Sequence, residues 1–297
     1  MSTSITAAFV TSYEAKVHEV FQRRGAHLKD AVRMRTDVTG SSAVFNKIGK
    51  GTATTKARHG TITPMNQTHT APSCTLVDFY AGDWIDKLDD AKINIGERDV
   101  LASGGAMALG RKCDSQIVTE LGTTSQSTVT LAVTSKAAFI SDVLEWVEAG
   151  WTNDVPNDGE VYAVVGPRTW SQLMTIDQFM NADYVGSDGQ VFVQGPKIGA
   201  TKWKDWMGVK FKMQTGLPNA GAAGALQYLW HKSAIGYAVA AAAGNVAGNE
   251  SVGADITWHG DRSAHFVNHL MSGEACLIDD TGVIEASVAE QTAVMTT

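Results

Sequence analysis

The chain has 297 residues, of which 44% are hydrophobic, and it carries a formal net charge of −7. Its length allows a large buried core in one large domain or two ordinary ones, and its net negative charge gives the whole chain no attraction for nucleic acid phosphates. Three cysteines without a CxxC pair argue against a disulfide framework or a zinc site, and the longest apolar run, near 238–243, is far shorter than the roughly 20 residues of a membrane span.

The first 35 residues combine a predicted helix with a basic patch. Residues 5–21 place apolar side chains near helical spacing, which predicts an amphipathic helix. Residues 23–35 then carry five basic side chains and one acid. Because no aromatic residues are interleaved with these charges, the patch fits a solvated or inter-subunit face better than a nucleic acid site.

Short apolar residues alternate with Thr and Gly between residues 41 and 75. This pattern predicts a two-stranded hairpin that turns around Gly49 to Gly60. The segment has too few large side chains to form a core of its own. We therefore expect the hairpin to pack on a neighbour.

The same region is basic and is followed by an acidic one. No Asp or Glu occurs in the 40 residues between Asp37 and Asp78, and an acidic turn is predicted from there to Asp90. The basic and imidazole side chains of the acid-free stretch are Lys47, Lys50, Lys56, Arg58, His59 and His69. Such polarity favours self-association, in which the arm of one copy meets the acidic face of another.

Two helices are predicted in the next part of the chain. The first runs from about Glu97 to Leu121 and the second from Ser135, its candidate N-cap, to Ala149. Two glycines, Gly104 and Gly105, lie in the middle of the first helix. Each costs about 1 kcal/mol relative to Ala. We therefore expect another backbone to pack closely against this part of the helix.

From about residue 158 the pattern changes to short strands, turns and helices, which is typical of an α/β or α+β domain up to about 252. One helix is predicted over 168–180 and a strand at 190–196. The apolar run 226–242 predicts a buried strand followed by a helix. Three or four strands then end the chain, separated by turns expected at Gly260, Gly273 and 280–282.

No motif for catalysis or cofactor binding occurs in the sequence. His265 and His269 are four residues apart, but their segment alternates like a strand, so exposed or interface histidines are a better interpretation than a metal site. A group of aspartates lacks the spacing of a calcium loop. These aspartates are Asp78, Asp83, Asp86, Asp89 and Asp90. We therefore predict no enzyme activity, no cofactor and no metal.

Four stretches, in order, resemble the major capsid proteins of tailed bacteriophages, which have the Hong Kong 97 fold. The basic hairpin before a long helix is similar to the E-loop and spine helix of that family. NDVPNDGEVYAVVGPRTWSQLM at 153–174 is similar to the entry into its A-domain, and WHKSAIGYAVA at 230–240 to the segment that closes the A-domain. AHFVNHLMSGEACLIDDTGVIEA at 264–286 is similar to its last strands.

The resemblance implies an α+β, Hong Kong 97-like capsid fold with N-arm, E-loop hairpin, P-domain with long spine helix, and A-domain. The implied segments are an N-terminal arm (1–40), the E-loop (41–77), the P-domain (78–157), the A-domain (158–252) and C-terminal strands that return to the P-domain (253–297). Implied inter-subunit contacts lie in the E-loop at Lys47, Lys50, Lys56 and Arg58, and the implied spine-helix packing lies at Gly104 and Gly105. Some members also join an E-loop lysine to a neighbour's asparagine by an isopeptide bond.

The function that the resemblance implies is that of a major capsid protein. It would self-assemble as hexamers and pentamers, in the host bacterial cytoplasm, into the icosahedral shell of a virion. The shell would enclose double-stranded DNA without sequence-specific binding, with scaffolding, portal and decoration proteins as partners and without a membrane. Three alternatives remain: an encapsulin-like compartment of the same fold, a soluble α/β enzyme, and a nucleic acid-binding protein that uses residues 23–58.

Overall fold

The computed structural model describes residues 26–88, 97–180, 203–240 and 253–290, which form two β-sheets, two long helices and an exposed hairpin. Within these residues the helices are α1 (Glu97–Leu121), α2 (Lys136–Thr152), α3 (Pro167–Leu173) and α4 (Asp177–Met180). The strands are β1 (Arg33–Val38), β2 (Ser42–Val44), β3 (Lys47–Ile48), β4 (His69–Thr70), β5 (Ser73–Thr75), β6 (Val77–Asp86), β7 (Val129–Leu131), β8 (Val161–Val165), β9 (Lys204–Trp206), β10 (Val209–Met213), β11 (Ala223–His231), β12 (Ile235–Ala240), β13 (Gly253–His259), β14 (Ala264–Leu277) and β15 (Val283–Ala289).

Two predicted elements, the helix over 5–21 and the strand at 190–196, lie outside the described residues. No helix in the described part of the chain is long and apolar enough to cross a membrane.

The first sheet is built around β14, which has 14 residues. β14 pairs antiparallel with β12, β13 and β6, and β1 is added parallel to β12. Strand β14 therefore links β6, the last described strand before α1, to β12 and β13, the two described strands that come directly before β14 in the chain.

The second sheet has six strands in the order β7-β15-β11-β8-β10-β9. Its central strand β8 is buried on both faces. Val161, Ala163 and Val165 pack in a core with α2, while Tyr162 and Val164 pack in a core with α1. A strand covered on both sides needs apolar residues at every position, which explains the continuous run VYAVV.

Helix α1 packs against both sheets. Ile117 lies in one buried cluster with Trp230 of the second sheet and Tyr237 of the first. Gln116 donates to the backbone oxygen of Gly273 (2.9 Å) and accepts from the Tyr237 hydroxyl (3.0 Å). These two hydrogen bonds satisfy buried polar groups at the contact and hold α1 in register over the first sheet.

Residues 26–38 pack into the body of the protein. Leu28, Ala31 and Val32 are almost fully buried in the cluster around α1, and the indole nitrogen of Trp230 donates to the Ala31 carbonyl (2.8 Å). The basic residues of the predicted patch that fall on β1, Arg33 among them, therefore follow a segment anchored in the core.

Both predicted long helices are confirmed. Helix α1 has the predicted bounds, and α2 extends to Thr152, three residues beyond its prediction. The Ser135 side chain caps α2 by accepting from the Ala138 backbone N–H (3.3 Å). Apolar residues at helical spacing face the core. They are Phe139, Val143, Trp146 and Val147.

The helix predicted at the end of the run 226–242 is wrong, because residues Ile235–Ala240 form strand β12. This strand lies between β1 and β14 and is buried over most of its length. An apolar run that is buried on all sides shows no periodicity that would separate a helix from a strand.

The turn predicted at Gly273 is also wrong, because Gly273 lies within β14, which continues through it. A Cβ at this position would lie 3.0 Å from the Ala238 carbonyl oxygen and 3.1 Å from the Tyr237 hydroxyl. The glycine therefore marks a close approach inside the sheet instead of a turn. As a result the described residues 253–290 contain three strands, β13, β14 and β15.

The turn predicted from Asp78 to Asp90 is wrong as far as Asp86, because this part is strand β6. Asp89 and Asp90 lie outside the described residues. Asp78, Asp83 and Asp86 are exposed, and β6 pairs with β14 alone among the described strands. Charged side chains are common on such edge strands because they oppose further pairing. The acidity therefore belongs to an edge of the sheet.

The helix predicted over 168–180 is interrupted. The backbone N–H groups of Thr175 and Ile176 donate to carbonyls three residues earlier, and the Thr175 hydroxyl donates to the Gln172 carbonyl (2.7 Å). This side-chain hydrogen bond competes with the helical pattern. The result is two short helices, α3 and α4.

Candidate inter-subunit surface

The hairpin predicted from the sequence forms an exposed arm, residues 41–77, which we call the hairpin arm. Its strands pair at the base, β2 with β5 and β3 with β4. The last pair is Ile48 with His69. Residues 49–68 beyond it contain no helix or strand. Gly49 is partly buried at the base, and residues 50–68 are all exposed.

The base of the hairpin arm packs on the first sheet. Ala43, Phe45 and Cys74 are buried in a cluster with Ala238 and Cys276 of β12 and β14. A small cluster of this kind holds the base in place, but it leaves the residues beyond the base without a core.

Two of the four predicted contact residues form ion pairs within the chain. Lys47 Nζ lies 2.7 Å from Asp279 Oδ1, and Lys50 Nζ lies 2.5 Å from Asp154 Oδ2. The hydrogen bond and charge of Lys50 lower the pKa of Asp154. Burial alone would raise the pKa of Asp279, but hydrogen bonds, that of Lys47 first among them, bring it below its usual value.

The other two, Lys56 and Arg58, lie in the exposed part of the hairpin arm. Neither side chain forms an ion pair with any described residue. The structure therefore divides the four basic residues. Those near the base contact the body of their own chain, and those farther out are available to another molecule.

Large apolar side chains are exposed along the hairpin arm. Ile48 is 58% exposed, Ile62 73% and Met65 55%. Scattered exposed apolar residues are ordinary on a protein surface. Here three of them lie on one arm, two of them beyond its buried base.

A hydrogen-bonded cluster around Asp280 supports the turn between β14 and β15. Its carboxylate accepts from the Ser125 hydroxyl (2.5 Å) and N–H (2.8 Å), from Gln126 Nε2 (2.9 Å) and from Thr124 Oγ1 (2.9 Å). Burial would raise the pKa of Asp280, but these hydrogen bonds outweigh it and lower the pKa to about 2. Because Asp279 directly precedes Asp280 in the chain, the cluster also positions Asp279, the partner of Lys47. No sequence pattern indicated it.

The two glycines of α1 have different surroundings. A Cβ on Gly105 would lie 2.8 Å from Cε1 and 2.9 Å from Cγ of His269, whereas a Cβ on Gly104 would meet nothing within 4 Å. The close neighbour of Gly105 is thus the buried side chain of His269 on β14, and no described residue lies close to Gly104.

The two candidate histidines lie on β14, as the alternating pattern predicted. His265 packs against Trp258, with ring centroids 4.8 Å apart. His269 is buried, with Nδ1 3.2 Å from the Ala81 carbonyl oxygen. Of the predicted alternatives, exposed or interface histidines, exposure is wrong for His269, which packs under α1. Among the described residues no group of three His, Cys, Asp or Glu side chains could hold a metal ion.

A comparison with protein families matches residues 5–290 to the model described as "Phage capsid protein". The chain belongs to this phage capsid protein family. A comparison with curated proteins finds no match. The predicted relationship is therefore confirmed over nearly the whole chain.

Solved phage capsids share the fold of this family member. The capsid of cyanophage P-SCSP1u is 14% identical, with a TM-score of 0.70 over 97% of this chain and 95% of that one. A structure from Mycobacterium phage Che8 is 14% identical, with a TM-score of 0.68 over 94% and 96%. The mature capsid of bacteriophage PhiM1 is 12% identical, with a TM-score of 0.69 over 94% and 92%.

Identities this low show the fold, and they confirm the predicted Hong Kong 97-like fold class. The family adds the function. A phage capsid protein is a structural protein of the virion, and its copies self-assemble into the capsid shell. The functional surface of such a protein is therefore the one that contacts other copies.

Proposed function

We propose that this chain is the major capsid subunit of a tailed bacteriophage and that its hairpin arm binds an adjacent subunit. Hexamers and pentamers of the subunit would form an icosahedral shell around double-stranded DNA, in the cytoplasm of the host bacterium. The observation that carries the proposal is an arm with exposed apolar and basic side chains and no core, in a chain of the capsid family.

Energetics support a contact of the hairpin arm with another copy. Covering Ile48, Ile62 and Met65 would contribute about 1–2 kcal/mol per side chain. The cations of Lys56 and Arg58 would add charge complementarity to an acidic surface, in a chain whose net charge is −7. One contact of this size is weak, but each subunit of a closed shell makes it in a repeated symmetric arrangement.

The domain assignment is part of the proposal. The hairpin arm corresponds to the E-loop, α1 to the spine helix of the P-domain at 78–157, and residues 158–252 to the A-domain. Residues 1–40 and 253–297 would be the N-terminal arm and the returning strands. The pairing of β15 with β11 supports a joint between the last segment and the A-domain as well.

Net negative charge also bears on the contents and the partners of the shell. An acidic subunit repels the phosphates of DNA, so the DNA would be enclosed without sequence-specific binding. Scaffolding, portal and decoration proteins would complete the particle. A lysine of the hairpin arm, Lys47, Lys50 or Lys56, would supply the amine if mature shells carry isopeptide bonds.

Removal of the exposed part of the hairpin arm tests the proposal. Ile48 and His69 are a cross-strand pair, so an Asn-Gly turn can join them and replace residues 49–68 without disturbing the base. We expect this variant to give folded subunits that do not form shells, while the unaltered chain forms angular shells of phage-head size in negative-stain electron microscopy.

Other outcomes of the same experiment would contradict parts of the proposal. Normal shells from the shortened chain would refute the role of the hairpin arm. Small uniform shells from the unaltered chain would favour an encapsulin-like compartment. Only monomers or dimers of the unaltered chain, alone and with neighbouring phage proteins, would refute the capsid function.

Charge reversal gives a milder test of the same contact. We expect Lys56→Glu and Arg58→Glu each to reduce the yield of shells, because either change places an acid where the proposed neighbour is acidic. Lys136→Glu, in the first turn of α2, changes the net charge equally and is the matched control. Shell yields that are the same for all three variants would contradict a basic contact.

A further inference from the structure

Two of the three cysteines lie together at the base of the hairpin arm. Cys74 belongs to β5 of the arm and Cys276 to β14 of the first sheet, 202 positions later in the chain. Both are buried, and both belong to the small cluster that anchors the arm. The third cysteine, Cys113, lies in a different cluster, on α1.

The contacts of Cys74 bring its sulfur onto the strand that carries Cys276. Cys74 Sγ donates to the Glu274 carbonyl (3.0 Å), two residues before Cys276. Cys276 pairs with Gly236 and Glu274 with Ala238, so these residues share one face of the sheet. The base of the hairpin arm covers that face.

The two thiols also affect each other's ionisation. The Cys276 side chain lowers the pKa of Cys74, and the Cys74 side chain, together with burial, raises the pKa of Cys276. Burial raises the pKa of Cys113 to about 11. Because the thiolate is the reactive form, Cys74 is the first of the three to react with an oxidant.

We propose that Cys74 and Cys276 are a covalent cross-linking site, which joins the hairpin arm to the body of its own chain by a disulfide under oxidising conditions. The oxidant is a low-molecular-weight disulfide. The Cys74 thiolate attacks one of its sulfur atoms and releases a small thiol; the Cys276 thiol then loses its proton, attacks the Cys74 sulfur and releases the second small thiol. Two protein thiols are oxidised and one small disulfide is reduced.

Access to the buried site requires a local opening. Strand β5 has three residues and pairs with β2 alone among the described strands, so this short ladder can separate without unfolding of the sheets. The two thiols would stay reduced in a reducing cytoplasm, and the disulfide would form in an oxidising medium. If the chain is a capsid subunit, the arm would be locked only after the particle leaves the cell. This consequence rests on the proposed function, whereas the chemistry of the site does not.

Oxidation of the full-length protein tests the site. Native protein is treated with oxidised glutathione, then denatured and alkylated with N-ethylmaleimide, and its intact mass is measured. We expect three alkylated cysteines before oxidation and one, Cys113, after it, with a cross-linked peptide that contains Cys74 and Cys276. Retention of all three thiols, a persistent glutathione adduct or a dimer between chains would overturn the proposal.

Serine variants identify the residues. Cys74→Ser and Cys276→Ser should each abolish the cross-link, whereas Cys113→Ser should keep it and is the matched control. The oxidised control should also unfold at higher urea concentration than its reduced form, and a reductant should reverse the shift. An equal cross-link in Cys74→Ser would overturn the assignment, and the result with the unaltered chain decides the proposal even if a variant fails to fold.

Discussion

Gly105 and Gly104 are adjacent in α1, and the structure predicts opposite effects when each is replaced by alanine. For either position, Gly→Ala in a helix favours folding by about 1 kcal/mol. At Gly104 nothing offsets this gain, because a new Cβ meets no atom within 4 Å. We therefore expect Gly104→Ala to stabilise the subunit by up to about 1 kcal/mol.

At Gly105 the new methyl group would overlap the ring of His269. This side chain is 3% exposed, so the ring cannot move aside into solvent without a shift of the residues around it. Overpacking costs about 1–3 kcal/mol, and the contact of His269 Nδ1 with the Ala81 carbonyl, worth about 1 kcal/mol, would be disturbed. Set against the helix gain of about 1 kcal/mol, these two losses leave a net destabilisation of about 1–3 kcal/mol.

Urea unfolding of unassembled subunits, followed by tryptophan fluorescence, measures both effects in the same background. The two variants should differ by about 2–4 kcal/mol in free energy of unfolding, which combines the gain at one glycine with the loss at the other. Equal midpoints for Gly104→Ala and Gly105→Ala would refute the packing of α1 on His269 as the reason for the glycine.

A larger residue at Gly104 tests a contact between subunits. Because a Cβ on Gly104 meets no atom of the described residues within 4 Å, Gly104→Leu should leave the subunit folded. If the helix packs against another copy there, shell formation should fall well below that of Lys112→Leu, a change at an exposed position on the same helix. Equal shell yields would show that Gly104 faces no neighbour.

Two further changes test the interior. Asp280→Asn should lower the free energy of unfolding by about 1 kcal/mol at neutral pH, after allowance for solvent screening. Because the folded pKa of about 2 lies below the unfolded value, the unaltered chain should lose this stability as the pH falls from about 4 to about 2. The variant should show a shallower decline in acid unfolding, and Asp261→Asn, at an exposed carboxylate, should behave like the unaltered chain. Trp230→Phe removes the donor to the buried Ala31 carbonyl and should cost about 1–3 kcal/mol. Limited proteolysis should then cut faster within 26–38, and an unchanged cleavage rate would contradict the anchoring of this segment.

The elements that could be predicted from the sequence are those specified by local chemistry. Helix α2 combines a Ser135 cap with a regular apolar face, and both act within a few residues of each other. The hairpin arm follows from β-branched residues and glycines in a short stretch. For these segments, local preference and the final packing favour the same structure.

The wrong predictions concern segments whose structure is decided by packing against residues that are distant in the sequence. The run that contains β12 is a strand because β1 and β14, distant in sequence, lie on either side of it. Gly273 suggests a turn until Tyr237 and Ala238 are placed beside it. Likewise Asp280 finds Ser125 across 155 positions. Single-sequence patterns carry no information about such partners.

The order of basic residues along the hairpin arm now has a physical meaning that composition alone did not give. Lys47 and Lys50, near the base, pair with Asp279 and Asp154 of their own chain. The Lys47 pair is partly buried and helps to hold the base of the arm on the body, whereas the exposed Lys50 pair contributes little. Lys56 and Arg58, farther out, are left without such partners among the described residues. An acid in the arm would compete for the inner lysines and repel the acidic surface proposed for a neighbour. The absence of Asp and Glu therefore serves both the placement of the arm and its proposed contact.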